Sequence, residues 1–299
     1  MYIFVPGSQQ SKGRRMKMYG YFIDRNYKGE FPYTDLALER RRADTDMPGV
    51  EYKKQKTPLG CHERVKISTK VGADQIGRPL GIYDTIQSGR IDRLDNDEKE
   101  RLTDALSDEL CRMLDESDIF PGRILIAGLG NRKLTPDALG CETAGRVIAT
   151  MHIKDHDAPL FRSLRCAEIA ICTPGVSAES GMDAAVTIKG ICDLINPDAV
   201  IAIDALATRD VARLGSTIQV ANSGISPGSG MGNTRLAIRP ETVGVPVISI
   251  GVPTVIDSRL LGGPDGEPMF VSPKEINDIV TSAAEVISGG INRAFGIYP

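Results

Sequence analysis

Two absences in the sequence concern membranes and secretion. No apolar stretch approaches the roughly 20 residues that a helix needs to cross a bilayer, although 41% of the 299 residues are hydrophobic. The chain starts with a few apolar residues and then becomes basic, whereas a secretory signal carries its basic residues first. We therefore expect a cytoplasmic protein with no membrane partner. The early basic residues are Lys12, Arg14, Arg15 and Lys17.

The charge balance and the cysteine spacing exclude two further classes. Lys and Arg number 36 and Asp and Glu number 39, so the net charge of −3 gives no reason to expect direct nucleic-acid binding. No two of the six cysteines form a C-x-x-C pair, the usual spacing in redox and zinc sites. We expect all six to be reduced and structural, because disulfides are rare in the cytosol.

Several catalytic motifs are missing as well. The chain has no G-x-S-x-G elbow of a serine hydrolase, no H-E-x-x-H zinc motif and no G-K-S/T ending of a P-loop. Gly128-Leu-Gly130 opens like a dinucleotide-binding loop, but Lys133 stands where the third glycine belongs. These absences disfavour a serine hydrolase and a nucleotide cofactor.

The sequence does contain an alternation of strand and helix patterns. Short β-branched runs separated by helical stretches are typical of β-α-β units, whose parallel strands are covered by helices on both faces. We predict an α/β protein with three layers, α/β/α, and a mostly parallel central sheet, plus a small antiparallel β element near residues 60–90. The expected strands are 123–129, 167–172, 199–204 and 245–251. The expected helices are 96–115, 136–151 and 181–195. A last helix is expected to begin at Ser272 and Pro273 and to be interrupted at Gly289 and Gly290.

Two aspartates stand where buried strands are expected to end. Asp137 follows strand 123–129, and Asp204 ends strand 199–204. In an open α/β sheet, ligands and chemistry gather beyond the carboxyl ends of the strands. Two carboxylates there can share a proton, polarise a water or hold a metal. The structural alternatives are helix capping by Asp137 and an ion pair between Asp204 and Arg209.

A Gly- and Ser-rich stretch from Asn222 to Arg235 provides a further candidate element. Small residues let the backbone approach a ligand closely, and N–H groups and hydroxyls stabilise an oxyanion or hold an extended peptide. The candidate substrate or oxyanion residues are Asn131, Gly228, Ser229, Gly230, Gly232 and Asn233.

His152 and His156 lie four residues apart near an expected helix end and leave a metal site open. Carboxylates and imidazole are common ligands of divalent metals, so Asp137, Asp204 and His152 form the candidate ligand set. The alternative is that the histidines interact with the dipole at the helix C-terminus. The sequence assigns no cofactor, and a divalent metal is the one that it leaves open.

Six stretches of the sequence carry a family resemblance. They occur in order over most of the chain from residue 34 onward, and several are long enough to be specific. Together they resemble the spore germination protease family of endospore-forming Firmicutes, whose fold is similar to that of the hydrogenase maturation proteases. The matching stretches are Thr34–Glu39, Gly128–Gly140, Thr173–Val176, Pro197–Ala207, Ser223–Asn233 and Val245–Asp257.

The resemblance implies an endopeptidase that degrades small acid-soluble spore proteins in the core of the forespore or spore. It also implies an inactive tetrameric zymogen that removes its own N-terminal segment. The family cuts after an acidic residue and before a large apolar one followed by alanine, a rule that Asp35, Leu36 and Ala37 satisfy. We therefore expect self-cleavage between Asp35 and Leu36, with a basic propeptide of residues 1–35 and a single peptidase domain of residues 36–299.

The family's proposed catalytic aspartates fall on Asp137 and Asp204. The resulting hypothesis is attack of water on a peptide carbonyl while the two carboxyl groups share a proton. One rival is a metal-dependent peptidase of the maturation type, which uses the same aspartates and His152 as ligands. The other rival is a non-catalytic protein that binds a peptide on its Gly-rich face.

Overall fold

The computed structural model describes residues 34–40, 47–229, 235–261 and 269–298. These residues build a mixed α/β fold around one nine-stranded sheet. The strands are β1 Val50–Thr57, β2 Gly60–Ile67, β3 Gly81–Gln87, β4 Arg123–Gly128, β5 Glu168–Cys172, β6 Ala199–Thr208, β7 Thr217–Ala221, β8 Val247–Asp257 and β9 Phe270–Val271. The helices are α1 Lys70–Ile76, α2 Asn96–Asp115, α3 Leu139–Ala144, α4 Met151–His156, α5 Ala158–Leu164, α6 Ser177–Ser180, α7 Ala184–Ile195, α8 Pro240–Val243 and α9 Ile276–Ala294.

The sheet combines a parallel half and an antiparallel half. Its strand order is β1-β2-β3-β7-β8-β6-β4-β5, and β9 pairs with β8. Strands β8, β6, β4 and β5 run parallel, while β1, β2, β3 and β7 extend the sheet in antiparallel pairs as far as β8. The predicted α/β class is confirmed, but the sheet is mixed rather than mostly parallel. The predicted antiparallel β element near residues 60–90 is confirmed as the pair β2 and β3, and it is continuous with the central sheet because β7 joins β3 to β8.

Helices cover both faces of the parallel half, as the prediction of three layers required. Alternate side chains of β4 point to opposite faces. Ile124 and Ile126 belong to a core cluster that includes residues of α2 and α9. Leu125 and Ala127 belong to a second cluster that includes residues of α7 and α8. Within the described ranges, no helix is both long and apolar enough to cross a membrane.

The helices agree with the predictions except where tertiary contacts intervene. Helix α2 begins and ends where its apolar spacing predicted, and Asp95 caps its first turn. The single helix expected over 136–151 is broken after α3, because the N–H groups of Ile148 and Thr150 donate to Asn292 and Ile169 rather than to carbonyls of a preceding turn.

The last helix also differs from its prediction. Helix α9 begins at Ile276, after a turn at Pro273, and it continues through Gly289 and Gly290. A Cβ atom on either glycine would lie 3.0 to 3.1 Å from side-chain atoms of α2. These glycines therefore allow close helix packing and do not interrupt the helix.

Candidate active site

Asp204 lies at a point where one parallel strand ends and its neighbour continues. Strand β6 was predicted to end at Asp204, but it continues to Thr208. Its neighbour β4 ends at Gly128, which pairs with Ile203. Asp204 is therefore the first residue of β6 beyond the end of β4. The loop that follows β4 can fold over it there, as expected for a site at the carboxyl ends of parallel strands.

The loop after β4 brings Asp137 to this position through a glycine. Gly130 has a φ of 95°, a conformation that favours glycine. A Cβ atom there would lie 1.9 Å from the carbonyl oxygen of Asp137. Asp137 itself ends a short 3-10 turn, Thr135–Asp137. The glycine motif that resembles a dinucleotide loop thus serves a tight turn that carries the carboxylate.

Asn131 contributes to this arrangement through its backbone. Its N–H donates to the carboxylate of Asp137, with 2.9 Å between N and Oδ2, while its side-chain oxygen accepts from the N–H of Lys133. Asn131 therefore orients Asp137 in this structure, whereas the sequence suggested a contact with substrate.

The two aspartates differ in their electrostatic environment. Burial raises the pKa of Asp204 well above its usual value, and the negative charge of Asp137 raises it further. Burial also raises the pKa of Asp137, but the N–H of Asn131 and the charge of Arg235 oppose that rise. The pKa of Asp204 is therefore raised more strongly than that of Asp137, which makes Asp137 the stronger acid of the two.

A third carboxylate, that of Asp35, lies near the pair, and its charge also raises the pKa of Asp204. It accepts hydrogen bonds from the N–H of Ala207, at 2.9 Å, and from the hydroxyl of Ser229, at 2.7 Å. The guanidinium of Arg78 lies 3.2 Å from the same carboxylate. The N–H of Asp35 donates in turn to the carbonyl of Ala207. Asp35 is thus bound at the end of β6, three residues beyond Asp204.

The two residues that follow Asp35 are also held in place, by burial and by a hydrogen bond. Leu36 and Ala37 are fully buried, and the N–H of Ala37 donates to the side chain of Gln219 on β7, at 3.0 Å. The predicted cleavage position lies beside a cleft that Asp35, Leu206 and Gln219 line.

The Gly- and Ser-rich loop is described only in part. Gly228 adopts a φ of 72° in the turn before Ser229, whose hydroxyl contacts Asp35. Gly230, Gly232 and Asn233, also candidates for the oxyanion loop, lie outside the described residues.

His152 is not brought together with the aspartates. It is exposed on α4, next to Thr150, whose N–H donates to Ile169 near the start of β5. That position is at the amino ends of the parallel strands, opposite to Asp204.

The donor set around the aspartates is small for a metal centre. Among the described residues, no third His, Cys, Asp or Glu side chain lies with Asp137 and Asp204 within common ligand distance. Catalytic zinc sites usually have three protein ligands. The described side chains therefore do not fit a dedicated metal site at this position.

A second acidic cluster, absent from the sequence-based predictions, lies on the antiparallel half. His62 of β2 lies 3.2 Å from Asp84 of β3 and 3.1 Å from Glu109 of α2. Arg64 pairs with Asp84, and Arg112 pairs with Glu109. The sequence carried a weak signal, since Glu109 interrupts the apolar face of α2 and Asp84 lies inside an apolar strand.

Gln219 and Arg78 were also missed. Gln219 lies on β7, a five-residue strand in a region that the sequence presented only as Gly-rich. Arg78 lies in the turn after α1 and has no distinguishing pattern around it. Only the fold brings these two side chains to Asp35.

The fold and the site define an α/β protein that places the carboxyl groups of Asp137 and Asp204 beyond the end of β4, at the carboxyl ends of its parallel strands. The sequence profile of the germination protease family matches residues 33–262. The chain is 36% identical to the germination protease of Caldanaerobacter subterraneus subsp. tengcongensis, over 87% of this chain and 93% of that protein. It is 37% identical to the germination protease of Bacillus subtilis, over 75% of this chain and 63% of that protein.

A solved structure is also similar. A NiFe hydrogenase maturation protease from Thermococcus kodakarensis matches 60% of this chain and 99% of its own, with 21% identity and a TM-score of 0.34.

The chain belongs to the germination protease family. It is therefore a protease, a hydrolase of peptide bonds, of a family associated with spore germination.

Proposed function

We propose that this protein is an endopeptidase that initiates degradation of small acid-soluble spore proteins and is made as a zymogen that cuts its own chain between Asp35 and Leu36. It acts in the cytoplasm of the forespore or spore, as a homotetramer by analogy with its family. Asp137 and Asp204 carry the chemistry. Direct nucleic-acid binding and a membrane partner form no part of this function.

The observation that carries the proposal is the seating of residues 35–37 beside Asp204. An acidic side chain followed by two buried residues occupies the cleft, and the acidic group has three partners there. A substrate with an acidic residue before the cut and an apolar residue after it presents the same groups as Asp35 and Leu36. Residues 35–37 of the chain itself thus occupy this position as a substrate segment would.

The protonation states of the aspartates suit peptide hydrolysis. Asp137 is the member of the pair that ionises first, so its carboxylate accepts a proton from water as the water oxygen bonds to the carbonyl carbon of Asp35. Asp204 holds its proton and gives it to the nitrogen of Leu36 as the carbon–nitrogen bond breaks. The products are the α-carboxyl group of Asp35 and the α-amine of Leu36. Each proton transfer contributes about 10²- to 10⁴-fold to such reactions.

The burial of Asp204, which pairs with no cation among the described residues, supports catalysis over simple peptide binding. A buried carboxyl group without a paired cation is costly, and a site that only bound a peptide would gain nothing from it. The non-catalytic rival predicts that both aspartates can be replaced without loss of binding or of any other property.

Mass-spectrometric mapping tests this function. A small acid-soluble spore protein is incubated with the chain that begins at Leu36 and, in parallel, with its Asp204→Asn variant. Cuts after an acidic residue and before an apolar one, absent in the variant, are expected. Equal cutting by both proteins would refute the role of Asp204, and an intact substrate with both would refute the proposed activity.

A further inference from the structure

Gln219 forms hydrogen bonds with the peptide segment on both sides of the bond between Asp35 and Leu36. Its side-chain nitrogen donates to the carbonyl oxygen of Asp35, with 3.3 Å between the two atoms. Its side-chain oxygen accepts from the N–H of Ala37, at 3.0 Å. One carboxamide therefore contacts the carbonyl on the amino side of the bond and the second N–H on its carboxyl side.

The orientation of this carboxamide is determined by its partners. A backbone N–H only donates and a carbonyl oxygen only accepts. The oxygen of Gln219 must therefore face Ala37, and its NH₂ group must face the carbonyl of Asp35. Gln219 is 7% exposed, so water competes little for either hydrogen bond.

The sheet places Gln219 and Asp204 in one transverse row. Gln219 pairs with Gly251 across β7 and β8, and Asp204 pairs with the same glycine across β6 and β8. Directly paired residues project to the same face of a sheet. Two strand spacings separate the Cα atoms of Gln219 and Asp204 by about 10 Å.

The core clusters confirm that this shared face is the one covered by the segment. The neighbours of Gln219 along β7, Ile218 and Val220, belong to the core on the side of α2 and α9, and so does Ile203 beside Asp204. Gln219 and Asp204 therefore both point to the opposite face. A cavity on that face is lined by Asp35, Leu206, Gln219 and Gly251.

We infer that Gln219 is a catalytic residue of this protease, which binds the carbonyl oxygen of the bond to be cut and stabilises the negative charge that develops there. This inference rests on the proposed self-cleavage between Asp35 and Leu36. As water adds to the carbonyl carbon, the oxygen becomes an oxyanion and the amide hydrogen bond strengthens, because a donor to a charged acceptor is stronger than one to a neutral carbonyl. A buried, oriented donor of this kind contributes about 10²- to 10³-fold to the rate of acyl transfer.

This role differs from the one expected for the Gly- and Ser-rich loop. In the described part of that loop, Ser229 contacts the side chain of Asp35 and not its carbonyl oxygen. The carbonyl oxygen is contacted by Gln219 from the sheet, where the donor is held rigidly by strand pairing.

The test is the rate of self-cleavage of the full chain, synthesised in a cell-free system to give a defined zero time and followed by intact mass. Gln219→Met keeps the length of the side chain and removes both hydrogen bonds. We expect cleavage between Asp35 and Leu36 about 10²-fold slower than in the wild type in the folded protein, with a lower thermal midpoint because the N–H of Ala37 loses its partner. Gln87→Met is the matched control: Gln87 lies on the adjacent strand β3, its amide contacts Cys61 and Arg213, and it should cleave at the wild-type rate.

A second variant keeps the test decisive if Gln219→Met does not fold. Gln219→Glu retains a donor only while its carboxyl group is protonated. The ratio of its rate to the wild-type rate should therefore fall as pH rises, and a constant ratio would show that no donor at this position acts on the carbonyl oxygen.

The outcomes separate the two proposals. Wild-type rates in Gln219→Met, or a constant ratio in Gln219→Glu, would overturn the role of Gln219 while self-cleavage stands. A wild-type chain that never releases residues 1–35 would overturn the proposed self-cleavage and this inference with it.

Discussion

Two acidic clusters in this protein are similarly buried but differ in their electrostatics. The first contains Asp35, Asp137 and Asp204, and the second contains Asp84, Glu109 and His62. Asp204, in the first cluster, is 4% exposed, and Glu109 and Asp84, in the second, are 4% and 0% exposed. Two arginines and a histidine accompany the second cluster. At the first, the described residues leave Asp204 with one hydrogen bond, from the N–H of Ala205.

The pKa values follow from this difference. Burial alone would raise the pKa of Asp84, but hydrogen bonds from His62 and Arg64 outweigh burial and lower it to about 2. Hydrogen bonds to Asp84 and Glu109 raise the pKa of His62 to about 9. The pKa of Asp204 moves in the other direction from that of Asp84, because burial and the charges of Asp137 and Asp35 act together. We call the cluster around Asp84 compensated because cations keep Asp84 ionised, although burial raises the pKa of Glu109 within it. We call the cluster around Asp204 uncompensated because no cation among the described residues pairs with that group and its pKa is raised.

The largest expected effect is on catalysis at the uncompensated cluster. Asp204→Asn removes the proton donor, and we expect self-cleavage to slow by about 10²- to 10⁴-fold. The variant should be at least as stable as the wild type at neutral pH. The folded-state pKa of Asp204 is raised, so the unfolded state loses its proton first as pH rises, and ionisable Asp204 destabilises the fold above about pH 3.9. Cleavage kinetics and urea denaturation measure the two effects, and a clear loss of stability would contradict this view of the site.

The equivalent change at the compensated cluster should have the reverse pattern. Asp84→Asn leaves Arg64 without its charged partner, and removing one member of a buried ion pair costs about 3 kcal/mol or more. The rate of cleavage by the folded fraction should be retained. Urea denaturation and cleavage kinetics on the same preparation check both statements. An Asp84→Asn protein that is fully stable but cleaves slowly would contradict this distinction between the two clusters.

A smaller effect is expected where a cation does reach the active site. Arg78→Gln removes a charged hydrogen-bond donor from the carboxylate of Asp35, and charged hydrogen bonds are worth about 1.5–3 kcal/mol. We expect self-cleavage to slow by about 10- to 100-fold. Arg146→Gln, on a half-exposed arginine paired with Glu142, is the control and should cleave normally.

The smallest expected effect is the pH dependence of stability at the compensated cluster. The pKa of His62 is raised from 6.5 to about 9, so its stabilising contribution is complete below pH 6.5 and is lost as pH rises through 9. The groups that face it are Asp84, Glu109 and Arg112. The stability difference between the wild type and His62→Gln, measured in urea at several pH values, should shrink over this window. A difference that stays constant from pH 6 to 10 would show that His62 is not held by these carboxylates.

Local pattern was sufficient to predict most of the parallel half of the molecule. The β-branched runs of β4 and β6 and the leucine spacing of α2 identified these elements, and the aspartates that follow β4 and lie in β6 could be named because apolar runs lead up to both. The broken helix after α3 was not predictable, since contacts with Asn292 and Ile169 from distant parts of the chain interrupt it.

The substrate-contacting residues could be predicted only in part. Asp35 and Leu36 were identified through the family resemblance, but Gln219 and Arg78 contact Asp35 through hydrogen bonds between residues more than 40 positions apart. The second acidic cluster likewise depends on the packing of α2 against β2 and β3. Sequence periodicity reports which face of an element is apolar, and it does not report which polar side chains meet across the fold.

The most direct test of this account is a pH titration of the aspartate carboxyl groups by carbon-13 NMR on selectively labelled, uncleaved protein. Spectra of Asp204→Asn and Asp84→Asn assign the two signals. We predict that Asp204 titrates well above its ordinary value of 3.8 and above Asp137, while Asp84 titrates below 3.8. An Asp204 signal that titrates at or below 3.8 would show an ionised carboxylate, and it would contradict the assignment of this group as the proton donor.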